Sequence, residues 1–270
     1  MTKHPITRRN TLLLMGSGIL QHAVGCNHTT KQLDSGLSLD SGGDWEWAVG
    51  GTQGINTSML VEDIPFAPQE NACVLTERYT LGPCYFHPGD YRQDISDGEK
   101  GLPMILAFKV VDNNCVPIPN VDVDVWHCNA EGLYSGNSTN STNAQDFDPE
   151  FCTLEDARAL ESKWFRGVQR SNADGVVYFF SCFPGWYPGR TTHVHVKIVR
   201  DNMDVLITQF CFGDAISNDI YLHHPDYTGI AKDTTNSGDF AFAENHDSYT
   251  MRTTLNPDGS ITATMVITIA

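Results

Sequence analysis

Two imidazoles stand two residues apart in Thr192-His193-Val194-His195-Val196-Lys197-Ile198. Side chains alternate along an extended strand, so Val194, Val196 and Ile198 would enter a core while His193 and His195 share the opposite face. A rigid strand can aim both rings at one metal ion at ~2 Å. Alone, the pair is weak evidence, and two histidines on a solvated strand face are the commoner case. The upstream stretch Phe183-Pro184-Gly185-Trp186-Tyr187-Pro188-Gly189-Arg190 adds Tyr187, placed by flanking Gly and Pro on a turn at the strand's entrance. A second tyrosine closes Trp126-His127-Cys128-Asn129-Ala130-Glu131-Gly132-Leu133-Tyr134. A phenol with an ordinary pKa of ~10 is a poor ligand for zinc or magnesium. A trivalent cation makes its proton loss favourable. Two histidines and two tyrosinates, joined by one hydroxide, would make a five-coordinate ferric site that balances charge without an acidic ligand. Copper or zinc held by the His pair, with the tyrosines merely nearby, is the competing arrangement.

The pieces W-x-x-N-x-x-G-x-Y (Trp126, Asn129, Gly132, Tyr134), P-G-x-Y (Pro184, Gly185, Tyr187) and R-x-x-H-x-H (Arg190, His193, His195) together resemble the intradiol ring-cleavage dioxygenases. These are the non-haem Fe(III) enzymes of the protocatechuate 3,4-dioxygenase type. Gly82-Pro83-Cys84-Tyr85 and Leu206-Ile207-Thr208-Gln209 extend the likeness, which spans about residues 70–215. Gly50-Gly51-Thr52 followed by Met59 is similar to the exported, single-chain branch. The chain departs from the family's usual opening, with Glu77 in place of a proline and Leu81 in place of a glutamate. Residues 27–65 offer no counterpart to the helical dimerisation region of the catechol 1,2-dioxygenases.

The resemblance implies a metal set of Tyr134 and His193 (equatorial) with Tyr187 and His195 (axial). It implies one ferric ion, O₂, and a catechol-type substrate cut between its two hydroxylated carbons to a muconate-type diacid. Tyr187 would leave the metal and take a substrate proton, Arg190 would stabilise negative charge developing on the ring, and Gln209 would orient the substrate. Trp126 and Asn129 would fix the turn that presents Tyr134. The alternative is a non-catalytic exported binding module that keeps the fold and the metal site.

Short alternating runs must position these residues. Met104 to Val111, Val121 to Trp126, Val176 to Phe180, Thr192 to Val199, Val205 to Phe212 and Ile261 to Ile269 read as strands divided by Asp-Gly and Asn-rich turns. Helical periodicity is weak, with Thr153 to Ser162 the best short candidate. The expected fold is all-β, an antiparallel β-sandwich with short helices in loops, occupying residues 66–270. Asp122 and Asp124 share one strand face and read as solvated. His28, His87, His127, His223, His224 and His246 carry no assigned function.

The first 25 residues read as an export signal: Arg8-Arg9 precede the apolar stretch from Thr11 to Leu20, and Ala23-Val24-Gly25 supplies small residues for cleavage. The paired arginines resemble a twin-arginine address. Cys26 would then be the lipidated first residue of a membrane-attached lipoprotein, a plain secretory cut at the same bond being the alternative. Residues 26–65, polar and rich in Gly, Ser, Thr and Asp, suit a flexible tether, along which Trp45, Trp47 and Met59 are candidate docking anchors. Cleavage would remove Lys3, Arg8 and Arg9 and no acid, taking the net charge from −16 to −19. So acidic a chain lacks the electrostatic footprint of a nucleic-acid binder. It also gives no reason for an anionic substrate to be drawn in by the overall field. No apolar run reaches the ~18 residues of a membrane span. Of eight cysteines, the six or seven not used by lipid would serve disulfides in an oxidising compartment.

Overall fold

The computed structural model describes residues 31–33, 46–56, 64, 66, 73–136 and 147–270. Its strands are β1 (Lys31–Leu33), β2 (Pro103–Val111), β3 (Asp122–Trp126), β4 (Arg166–Arg170), β5 (Val176–Cys182), β6 (His193–Arg200), β7 (Met203–Cys211), β8 (Arg252–Leu255) and β9 (Ile261–Thr268). They form a five-stranded sheet in the order β1-β8-β9-β2-β5 and a four-stranded sheet in the order β4-β3-β6-β7. All pairings are antiparallel except β2 with β9, which run parallel. Four short helices lie in the connections: α1 (Pro149–Thr153), α2 (Ala157–Glu161), α3 (Asp214–His223) and α4 (His246–Tyr249).

The main core lies between the sheets. Met104, Leu106, Phe108 and Val110 face it from β2, Val123 and Val125 from β3, and Val194, Val196 and Ile198 from β6. Phe108 and Phe210 meet across the gap with ring centroids 6.0 Å apart. The outward face of the four-stranded sheet is covered too. A second, smaller core there holds Cys84, Tyr85, Phe86, Trp126, Cys128, Tyr134, Phe147 and Cys152. That cover makes a dry site out of what would otherwise be a wet strand face.

Several expectations need correcting. Thr153 to Ser162 is not one helix; α1 and α2 are separated where Leu154 (φ 48°) and Glu155 (φ 58°) take left-handed backbone. β4 (Arg-Gly-Val-Gln-Arg) and β8 (Arg-Thr-Thr-Leu) carry too little apolar alternation to read as strands. The described part of the expected tether is not free chain. β1 pairs with β8, the Ala48 N–H donates to the Gly259 carbonyl at 3.0 Å, and Trp47 and Ile55 are buried. Trp45 and Met59 lie outside the described residues, as do the export segment and Cys26. Among the described residues two disulfides are present, Cys73–Cys115 and Cys84–Cys152. Cys128, Cys182 and Cys211 remain buried thiols, so fewer cysteines pair than the compartment argument suggests. Among the described residues no helix is long and apolar enough to cross a membrane.

Candidate active site

The two tyrosine-bearing turns are interlocked by glycines. Gly132 has φ 85°, and a β-carbon there would collide with the Trp186 carbonyl oxygen, one residue before Tyr187. A β-carbon on Gly185 would stand 2.5 Å from the Asn129 carbonyl oxygen, which instead accepts the Gly185 N–H at 3.0 Å. Asn129 also closes its own turn, its side-chain oxygen accepting the N–H groups of Glu131 and Leu133 at 3.0 Å each. The Tyr134 N–H then donates to the Cys152 carbonyl at 2.8 Å. The backbone thus fixes both phenols before any ligand is considered.

On β6 the alternation places His193 and His195 together, and both are buried. The hydroxyls of Tyr134 and Tyr187 lie 3.3 and 3.2 Å from His193 Nε2. His193 Nδ1 faces the Thr191 carbonyl at 2.6 Å. A carbonyl only accepts, so Nδ1 carries the proton and Nε2 presents its lone pair to the phenols. His195 lies beside it, with ring centroids 5.0 Å from His193 and 6.1 Å from Tyr134. Trp126, its cross-strand partner on β3, stacks on His195 at 4.8 Å and 12°. His195 Nδ1 is buried without a hydrogen-bond partner.

Electrostatics separate the protonation states. Burial and the nearby Arg190 charge hold His193 well below the usual imidazole value. Burial, then His193 and Arg190, do the same to His195. Burial pushes the Tyr134 phenol well up and that of Tyr187 to about 12. Both imidazoles are therefore neutral and both phenols protonated in the protein alone. Two phenol hydroxyls and one imidazole lone pair converge here, and the phenols also bond to each other. A cation shared by all four side chains would displace the phenolic protons. Among the described residues no three His, Cys, Asp or Glu form a metal cluster. The donors gathered here are two histidines and two tyrosines. Such a donor set fits a strongly charged, oxygen-seeking ion of the ferric type better than zinc.

A cavity of about 610 Å³ opens onto the set, lined by Tyr134, Tyr187 and His195 together with Arg190 and Gln209. Gln209 pairs with His195 across β6 and β7, which fixes it on the same face. The Arg190 guanidinium donates to Gln209 Oε1 at 2.6 Å and to Asp239 Oδ2 at 2.8 Å. Burial opposes its charge, but Tyr187 and Asp239 outweigh that and hold its pKa above the ordinary value. Asp239 went unnoticed in the sequence. It is fully buried and also accepts the Thr191 and Ala241 N–H groups at 2.8 Å each. The contact with Arg190 spans 49 residues, so no local pattern announces it. Arg166 was missed as well. This buried cation donates to the Ser135 carbonyl at 2.7 Å and lies 4.1 Å over the Phe86 ring, behind Tyr134.

A family model described as "Dioxygenase" matches residues 81–234, more than half of the chain and all of the site just described except Asp239 and its neighbours. The chain belongs to the intradiol ring-cleavage dioxygenase family. Among curated relatives of this family, the chain is 28% identical over 163 residues to a hydroxyquinol 1,2-dioxygenase of Rhizobium sp. (57% of this chain, 52% of the relative). It is 26% identical over 198 residues to catechol 1,2-dioxygenase 1 of Acinetobacter lwoffii (64% and 58%). The chain thus spans little more than half the length of these relatives. A solved intradiol ring-cleavage dioxygenase from Tetranychus urticae aligns with TM-score 0.61 and 26% identity, covering 73% of this chain and 95% of that one. The family uses non-haem Fe(III) generally. Tyr134, Tyr187, His193 and His195 all fall within the matched stretch.

Proposed function

We propose that this intradiol dioxygenase family member binds one ferric ion through Tyr134, Tyr187, His193 and His195 and cleaves a catechol-type ring between its two hydroxylated carbons. The single observation behind this is the approach of two phenol oxygens to one imidazole lone pair, at 3.2 and 3.3 Å, on the wall of the 610 Å³ cavity. When bound, the ferric ion supplies Lewis-acid activation of a chelated diol toward O₂. Both oxygen atoms enter the product, one ring C–C bond breaks, and the diacid forms without an external reductant.

The chain's own groups divide the remaining work. Tyr187 sits at the cavity wall on a Gly-Pro-flanked turn, and its phenol oxygen, once deprotonated, is the base that accepts a substrate hydroxyl proton. Arg190 holds a fixed positive charge beside the ring, where negative charge develops, in a site whose burial strengthens that attraction. Gln209 fixes the orientation of the guanidinium and borders the diol. Trp126 stacks on His195 and holds its ring plane.

Iron analysis and visible absorption of the purified protein test this reading. About one iron per chain should accompany a reddish tyrosinate-to-iron band that shifts when catechol is added, with O₂ uptake and a muconate-type product. Iron-free, colourless protein without O₂ uptake would point to a binding module instead, and a copper spectrum to the other metal. Export through Arg8-Arg9 and lipidation at Cys26 complete the proposal. Arg8→Lys combined with Arg9→Lys should retain holo-protein in the cytoplasm, and Cys26→Ser should abolish labelling by a lipid precursor.

A further inference from the structure

The cavity above the Tyr134, Tyr187 and His195 set is larger than a one-ring diol needs. Its volume of about 610 Å³ lies in the ~300–1,000 Å³ range that holds drug-sized ligands. Two of its lining side chains are large aromatic rings left open to water: Phe240 is 82% exposed and Phe151 is 53% exposed.

Neither ring is on a loose segment. Phe151 lies in α1, where the capping carboxylate of Asp148 accepts its N–H at 3.1 Å. Its neighbour Cys152 is disulfide-bonded to Cys84, itself in the cavity wall. The Phe151 ring meets the Tyr187 ring edge-on, with centroids 6.1 Å apart. Phe240 follows the fully buried Asp239, whose carboxylate takes three hydrogen bonds, and its ring lies 4.8 Å from the Arg190 guanidinium. An aromatic ring held in place yet left wet has lost conformational freedom without the burial that normally offsets the loss. A ligand that covers it supplies that burial. The nearby wall is apolar or aromatic at Tyr79, Pro83 and Ala241, and no carboxylate is among the described lining residues. A ring can meet Phe, Tyr and Pro surfaces edge-on or offset-stacked in ways that a flexible alkyl chain cannot.

We propose that the cavity selects catechols carrying a second, directly attached aromatic ring. The diol lies at Tyr134, Tyr187 and His195 and the second ring against Phe151 and Phe240, a placement that rests on the ferric dioxygenase reading above. The test measures O₂ uptake by the iron-loaded full chain with catechol, 4-phenylcatechol and 4-cyclohexylcatechol. The kcat/KM for 4-phenylcatechol should exceed that for either comparator by about tenfold, the difference residing in KM. Phe151→Ala and Phe240→Ala should each lower the phenylcatechol-to-catechol ratio several-fold, whatever they do to the absolute rates. Cleavage of catechol without preference for 4-phenylcatechol, equal preference for 4-cyclohexylcatechol, or a ratio unchanged in both variants would overturn the inference and leave the dioxygenase reading standing. Failure to cleave any of the three diols, with no shift of the visible band, would sink both.

Discussion

The outward face of the four-stranded sheet carries two polar clusters, and they are built on opposite principles. At one end, Tyr85, Asp124 and Lys197 form a buried group that holds both a carboxyl and an ammonium, with Asp124 Oδ1 left without a hydrogen-bond partner. The Tyr85 hydroxyl donates to Asp124 Oδ2 at 2.8 Å, and the Lys197 ammonium lies 4.6 Å from the Tyr85 ring and 3.6 Å from Asp204. At the other end, His193 and His195 face Tyr134 and Tyr187 with lone pairs and phenols but no carboxylate. The first cluster has a cation among its own members; in the second the four facing side chains are neutral, with Arg190 beside them, and on the ferric reading an ion from outside completes it. The same alternation on adjacent strands therefore gives a structural cluster and the cluster proposed to bind metal, and the chemistry of the covering side chains decides which.

Removing a donor should separate the two ends most sharply. Tyr134→Phe or His195→Ala should reduce iron from about one per chain to a trace. The loss should exceed the ~10–100-fold that follows from disturbing a supporting hydrogen bond. The visible band and O₂ uptake should go with it. The metal-free forms of wild type and Tyr134→Phe should unfold within ~1 kcal/mol of each other, since a single hydroxyl contact is lost. Full iron content in Tyr134→Phe would show that the two ends are not different in kind.

The Asp124 end answers to pH. Burial pushes the Asp124 carboxyl up to about 7, with Lys197 and the Tyr85 hydroxyl pulling the other way. A carboxyl whose folded pKa is raised binds more protons folded than unfolded, so its contribution is complete below about pH 4 and lost as pH rises toward 7. At ~1.4 kcal/mol per unit, the loss over that window amounts to ~4 kcal/mol. Asp124→Asn should remove that slope, so the stability difference between variant and wild type in urea should move in the variant's favour from pH 4 to pH 7. A difference that stays flat would mean that Asp124 ionises like a surface carboxylate.

Much of this face was legible from local pattern. A period of two is a property of neighbouring residues, so Val194, Val196 and Ile198 could be separated from His193 and His195 without any knowledge of the fold. The turns carrying Tyr134 and Tyr187 were likewise marked by Gly132, Pro184 and Gly185. Burial was not legible, because the cover comes from Cys84 to Phe86 and from Phe147 to Cys152, distant in sequence and tied by a disulfide across 68 residues. Asp124 shows the consequence: alternation suggested a solvated acid, and the covering Tyr85 makes it a buried one. β4 escaped notice for a related reason. Four of its five residues are polar or glycine, and the strand is held by the β3 ladder and by Arg92, whose guanidinium Nε donates to the Arg166 carbonyl at 2.7 Å, with Val168 its one buried apolar side chain.

Asp239 extends the histidine end by one step. Its charge orients Arg190 without touching the metal ligands' donor atoms, so Asp239→Asn should lower kcat/KM ~10–100-fold while iron content and the visible band stay at wild-type levels. If Asp239 acts through Arg190, Arg190→Lys should lose a similar amount, and the double variant should lose little more than either single one. Additive losses would place Asp239 in the fold alone.

The smallest effect belongs to the wet margin of the same face. Asp122 lies on β3 one alternation beyond Asp124, yet its partner Arg170 is 56% exposed. The guanidinium grips the carboxylate through two bonds of 2.7 and 3.0 Å, and the Tyr91 hydroxyl donates a third at 2.7 Å. Burial raises the Asp122 pKa, but Arg170 and Tyr91 outweigh it and hold the carboxyl below its ordinary range. Even so, water screens the pair, and Arg170→Ala should cost no more than ~1 kcal/mol, less at 1 M salt, with iron content untouched. A loss of several kcal/mol that persists in salt would mean that the dry cover reaches Asp122. The gradient from screened pair to buried pair to proposed ion site would then begin one strand position earlier.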